Sequence, residues 1–393
     1  MKLARAVRWL VLVLVCFGVL SAGGAVGAMQ ELCGPFTDVS PLFCPYILEA
    51  YYTGITAGTS ATTFSPDAPI TRGQAAVFVT KGLDQALGRG SRRAALGQWW
   101  TTTPHYDFGL GLTPVGSDPE WVTADGTDLW VANRGDGTVS RVRASDGKLL
   151  GNWSGAGQPQ QIIVALGRVL VLSRNGGLYL IDPSQPEGSA QLAAATGPLS
   201  FSMTFDGDRF WVSSDDGSAG SMGVLQIVTP TAALPWTITS VTNDQYPLAG
   251  TMGYDGANVW LFDLNGYMLR LDDAGSVINV VQGPYALGYP TFDGKNFWVP
   301  SGSGLSVVNA ETGSIVTLTG NGMVAPSVAA FDGQRVLVTS GSAAVNRVSL
   351  WKAADLTPLG YAFTGNSTQP VGVCSDGINF WITLSGSGQL ARF

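Results

Sequence analysis

One hexapeptide keeps returning along this chain of 393 residues. It stands as Asp125-Gly126-Thr127-Asp128-Leu129-Trp130 and again at Asp206 to Trp211, Asp255 to Trp260, Asp293 to Trp298 and Asp376 to Trp381. Two weaker copies fill the gaps. Asp332 to Leu337 carries leucine for tryptophan, and Leu166 to Val171 has lost the aspartate as well. The glycines at 126, 167, 207, 256, 294, 333 and 377 are separated by 41, 40, 49, 38, 39 and 44 residues. A fixed period of that size is the mark of a repeat array, in which one small unit buries its apolar face only against its neighbours.

The unit identifies the array. An apolar run leads into Asp-Gly, an alternating run such as Leu129-Trp130-Val131-Ala132 follows, and Gly-rich turns at Arg134 to Gly137 and Asp146-Gly147 separate two further runs. Asp-Gly between apolar alternating runs is a hairpin signal. Four short antiparallel strands in about 40 to 45 residues make one propeller blade. Helical spacing of apolar residues is missing after residue 120, so the expected fold is mainly β, with seven blades over residues 97–393. The recurrent tryptophan reads as packing between blades, and the aspartate as a turn residue bonding its own backbone. The final blade, from Pro370, has room for two strands before Phe393, and residues 97–115 are expected to complete it, because an open sheet edge is a liability.

Charge narrows the partners. Lys+Arg number 21 against 28 Asp+Glu, and three of the basic residues (Lys2, Arg5, Arg8) precede an apolar run of 12, Trp9 to Leu20. With Val26-Gly27-Ala28 beyond it, residues 1–28 read as an export signal, too short to span a bilayer comfortably, where roughly 20 apolar residues are needed. Retention as an anchor is the alternative, and a membrane enters only in that case. Without the leader the balance is 18 against 28, a net −10, which argues against nucleic acid. Cys33 and Cys44 are eleven residues apart, and export permits a disulfide between them. Cys374 reads as a buried free thiol.

Residues 32–87 differ from the rest. Phe36-Thr37-Asp38-Val39, Gly54-Ile55-Thr56-Ala57-Gly58, Phe64-Ser65-Pro66 and Ile70-Thr71-Arg72-Gly73-Gln74 follow in that order. Thr71 with Gln74 three residues on forms a capping box at a helix start. Together the four motifs resemble one S-layer homology domain, with Gln74 where the family has glutamate and Gly73 where it has alanine. The resemblance implies a small α-helical unit that attaches an exported protein to cell-wall polysaccharide or a peptidoglycan-linked polymer. It implies further that Arg72 meets an anionic group of the polymer, with Thr71, Gln74, Gly54, Gly58 and Asp38 around the same glycan site. The competing reading makes Thr71 and Gln74 helix caps and leaves Arg72 facing water. Residues 88–96 form a basic, Gly-bearing linker.

The repeat region resembles the broad class of surface and quinoprotein-like propellers that includes streptogramin lyase. Such lyases use histidine and acidic residues around a metal, but the single histidine, His105, precedes the first blade. Neither catalytic residues, metal ligands nor a cofactor motif can be assigned. The expectation is a secreted protein of the cell envelope or cell surface, whose propeller acts as a binding or scaffolding module for a protein or glycan. The alternative is a hydrolase or lyase acting on extracellular polysaccharide, with Asp215, Asp216, Asp263 and Glu311 as candidate carboxylates. A channel lined by carboxylates would favour that enzyme, and one lined by Ser, Thr and Gly the binder.

Overall fold

The computed structural model describes residues 35–86 and 111–393, apart from 41–42, 53–54, 185–186, 216, 219–220, 284, 286–287, 303 and 342–344. The expected leader and linker, with Cys33, Gly54, His105 and Asp216, lie outside the described residues. The chain divides into two compact units, residues 1–95 and 96–393.

In the first unit, helices α1 (Cys44–Tyr52) and α2 (Arg72–Ala86) flank a loop. Phe36 is its buried centre, edge-on to Tyr51 at 5.0 Å and to Phe64 at 5.5 Å. Gly58 lies against it. A Cβ there would stand 2.5 Å from the Phe36 ring and 2.5 Å from the Ser60 carbonyl, so only glycine fits.

The second unit consists of seven four-stranded antiparallel sheets. Their first strands are Pro119–Ala124, Pro159–Ala165, Ser200–Phe205, Gly250–Tyr254, Thr291–Phe292, Pro326–Phe331 and Pro370–Ser375. Each packs on the first strand of the next blade, and the seventh on the first, which closes the ring around a central channel. The last blade holds three strands of its own rather than the two the sequence suggested. A 3-10 turn at Ser385–Ser387 lets Gln389–Arg392 fold back, and Leu112–Pro114 adds the fourth by pairing with it.

Second strands such as Asp128–Asn133 and Phe380–Leu384 are buried at every residue. The alternation expected from their sequence does not become an inside and an outside, because neighbouring blades cover both faces. Trp130 shares a buried cluster with Val169 and Val171 of the next blade, Trp211 with Leu261, Trp298 with Val336 and Trp381 with Leu129, and the Trp260 ring lies 5.8 Å from that of Phe297. Each tryptophan is at most 1% exposed.

Aspartate and tryptophan form one device. In all five full copies the indole Nε1 donates to the aspartate Oδ2, five residues back, at 2.6–2.8 Å. The other oxygen of Asp125 accepts the backbone N–H of Thr127 and Asp128, at 2.9 and 2.7 Å, and fixes the four-residue turn. Gly126 supplies φ +97° in open space, so positive φ rather than room is what glycine provides. Where tryptophan becomes Leu337, Arg335 takes the Asp332 oxygen instead. Where aspartate is lost, the loop shortens to Leu166-Gly167, both at positive φ, the geometry of a two-residue hairpin turn. Aspartate and tryptophan disappear there together.

Candidate functional site

The residues expected at the glycan site are placed as follows. Thr71 and Gln74 satisfy one another: the Gln74 N–H donates to Thr71 Oγ1 at 3.2 Å, and the Thr71 N–H to Gln74 Oε1 at 2.8 Å. This reciprocal box caps α2, using Thr71 Oγ1 and Gln74 Oε1 as acceptors. Asp38 accepts the N–H groups of Phe64 and Ser65 at 2.8 and 2.7 Å. The Phe64 N–H above all, with that of Ser65 and against a smaller effect of burial, holds its carboxyl below the usual range. Gly58 is filled space beneath Phe36. Arg72, at the first position of α2, is exposed, and among the described residues it has no hydrogen-bond or ionic partner. Cys44 is buried and carries a disulfide.

In the ring the channel is the distinctive place. Tyr289 enters it just ahead of the shortest first strand, Thr291–Phe292. Its backbone is tied to the sixth blade through the Ser327 carbonyl at 2.9 Å. Its hydroxyl reaches across to donate to the Phe201 carbonyl at 2.7 Å and accepts from Gln160 Nε2 at 2.7 Å. The ring meets Trp121 edge-on at 4.7 Å. One side chain thus links blades one, two, three and five and partitions the channel. Burial pushes its phenol up to about 12, so it stays protonated and can donate.

Above Tyr289, at the end where first strands begin, lies a charged mouth. Arg134 bridges Asp118 at 2.9 Å and Glu120 at 2.7 Å. Burial pushes the Glu120 carboxyl up, against the pull of Arg134. The Oε1 atom of Gln160 is buried there without a donor. Below Tyr289 is a chamber of about 210 Å³ with an aromatic and methionine wall. Neither part matches the channel of carboxylates or the channel of small polar residues that the sequence left open.

Of the candidate carboxylates, Asp215 just beyond one second strand and Asp263 at the end of the next share one end of adjacent blades, whereas Glu311 lies at the other end. Asp263 closes a second strand and accepts the N–H of Asn265 and Tyr267. Burial pushes its carboxyl up, and its other oxygen has no donor. Glu311 sits beyond Asn309, beside the Asp293 turn at the opposite end of the blades, where Ala310 bonds the Lys295 carbonyl. Among the described residues no three His, Cys, Asp or Glu side chains are grouped as a metal site. Cys374 is a free thiol, pushed up by burial out of the reactive range. Tyr289, Gln160 and Glu120 escaped the sequence reading because none belongs to the repeated hexapeptide. The one available signal was an aromatic beside proline, Tyr289-Pro290, ahead of a short strand.

Comparison with known proteins agrees with these two units. The S-layer homology domain model matches residues 35–76. No curated protein matches the sequence at a significant level. Among solved structures, the hydrazine synthase of Kuenenia stuttgartiensis superposes with a TM-score of 0.57 at 15% identity, over 73% of this chain and 98% of that one. The WD40 β-propeller domain of Doa1 gives 0.57 at 13%, over 72% and 95%. Streptogramin B lyase gives 0.50 at 16%, over 72% and 96%. Likeness at these identities is likeness of fold. The chain carries an S-layer homology domain at residues 35–76, followed by a seven-bladed β-propeller.

Proposed function

We propose that this is an exported protein held at the cell envelope through residues 35–76, with the propeller as a scaffold that presents its faces to a protein or glycan partner. S-layer homology domains typically bind cell-wall polymers, and the match to that family carries the reading. Within the domain, Arg72 is the group that meets the polymer. Asp38, Gly58, Thr71 and Gln74 hold the unit together, whereas the Arg72 guanidinium is free to pair with an anionic substituent in its planar fork. The disulfide on Cys44 suits an exported chain, and we propose Cys33, outside the described residues, as its partner. On the ring, belts of hydrogen bonds join neighbouring blades, including Thr251 to the Gly288 carbonyl and Thr339 to the Val371 carbonyl. Such a frame is rigid, which suits presentation of loops. Co-sedimentation of the full chain with purified sacculi, before and after extraction of attached polymers, tests the tether. Binding lost on extraction supports it, and binding unchanged by extraction overturns it.

A further inference from the structure

We propose that the chamber beneath Tyr289 is a binding site for a small organic cation, an ammonium centre bearing apolar substituents. Its wall is built from five blades, with Trp121, Met203, Met252, Tyr254, Tyr289 and Phe292 as the main surfaces. The polar atoms that could read a hydrogen-bonding ligand are largely spent on the ring itself. The Trp121 indole N–H goes to the Ile162 carbonyl at 3.0 Å, the Tyr289 hydroxyl to Phe201, and both ends of the Gln161 amide to the Met203 backbone. What remains are aromatic faces, thioethers and the neutral hydroxyls of Thr204, Tyr254 and Thr291. Among the described residues no charged side chain lines the chamber. A sugar or nucleotide would leave its own donors and acceptors unmatched there, whereas a cation gains from ring quadrupoles and polarizable sulfur.

The rim supplies the matching charge. Thr204, Tyr254 and Phe292 run directly into the turns that carry Asp206, Asp255 and Asp293, so the chamber lies toward the aspartate-bearing end of the ring. Asp208 and Asp273 join them. Against these five carboxylates stand Arg209, Arg270 and Lys295. Arg209 is ion-paired to Asp206 at 3.0 Å and to Asp273 at 3.8 Å, and Arg270 is held over the Trp260 ring by Asn258. The Tyr254 phenol registers the surplus: burial first, then Asp206, Asp255, Asp273 and Asp208, push it up. Negative charge at the mouth of a low-dielectric pocket concentrates cations.

Calorimetric titration of the full chain with choline and with 3,3-dimethylbutanol, its uncharged carbon isostere, tests this. Choline is expected to bind about tenfold tighter than the isostere. Ile163→Trp, which fills the chamber, abolishes binding of both. Asp208→Asn, at an exposed side chain that holds no turn, weakens choline about twofold and leaves the isostere unchanged, which separates a charge effect from a folding defect. Equal binding of the two compounds, no choline binding at millimolar concentration, or choline binding indifferent to both substitutions overturns the proposal.

Discussion

Replacement of Trp130 by phenylalanine separates what the repeated tryptophan does as a ring from what it does as a donor. Trp130 is fully buried, Asp125 Oδ2 accepts its indole N–H at 2.8 Å, and Arg141 lies 5.1 Å above the ring. A hydrogen bond to a charged acceptor contributes about 1.5–3 kcal/mol. Asp125 is only half-buried, so solvent screening sets the value near about 1.5 kcal/mol. The smaller ring adds a void against Val169 and Val171 and costs about 1–2 kcal/mol more. Trp130→Phe is therefore expected to destabilise the propeller by about 3 kcal/mol. Asp125→Ala removes the same bond together with the two N–H partners of the turn. The double substitution then costs less than the sum of the singles by about 1.5 kcal/mol. Urea unfolding followed by fluorescence and near-ultraviolet circular dichroism, with coincident transitions as the condition for a free-energy reading, measures this coupling. A coupling below about 0.5 kcal/mol would show that aspartate and tryptophan act independently, and the account of the repeat as one device would fail.

Three other outcomes follow. Gly58→Ala forces a Cβ into the Phe36 ring and two carbonyls, and lowers the melting of the first unit by about 1–3 kcal/mol in a thermal scan of the full chain. Tyr289→Phe strips the hydroxyl that Gln160 and Phe201 share; it costs about 1–3 kcal/mol and removes the tyrosine that titrates near 12 from a spectrophotometric titration. For Asp125 and Asp206 burial pushes the carboxyl up, but the indole and turn N–H donors with Arg141 or Arg209 outweigh it and hold both below the usual range. A depressed folded-state carboxyl contributes stability that is present above the unfolded value, about 3.9, and is lost as pH falls through the folded one. Acid unfolding should thus steepen below about pH 4, and Trp130→Phe should blunt that loss; an unchanged acid limb in the variant would contradict it.

The ring was legible because its determinants are local and repeated. Asp-Gly fixes a turn, the run after it fixes a strand, and the period counts the blades. The link between Asp125 and Trp130 was also on view, as a constant spacing of five, but a separate role for each residue accounted for the pattern equally well. What could not be read depends on contacts between distant blades. Tyr289 meets Gln160 and Phe201 only after the circle has closed, and no periodicity marks any of the three. In the first unit, motif order carried the resemblance to the family, yet Thr71 and Gln74 bond one another across a helix start, while Asp38 and Gly58 tie segments more than twenty residues apart. A motif can recur because it folds the unit as well as because it touches a ligand.

The direct test of the tether compares apparent affinities for sacculi among Arg72→Ala, Arg72→Lys and Thr71→Ala in the full chain. The account predicts at least about a tenfold loss for Arg72→Ala, a partial loss for Arg72→Lys because a point charge replaces the planar fork, and near-native affinity for Thr71→Ala once helix loss of about 1 kcal/mol is allowed for. Arg72→Ala binding as tightly as the native chain would contradict it.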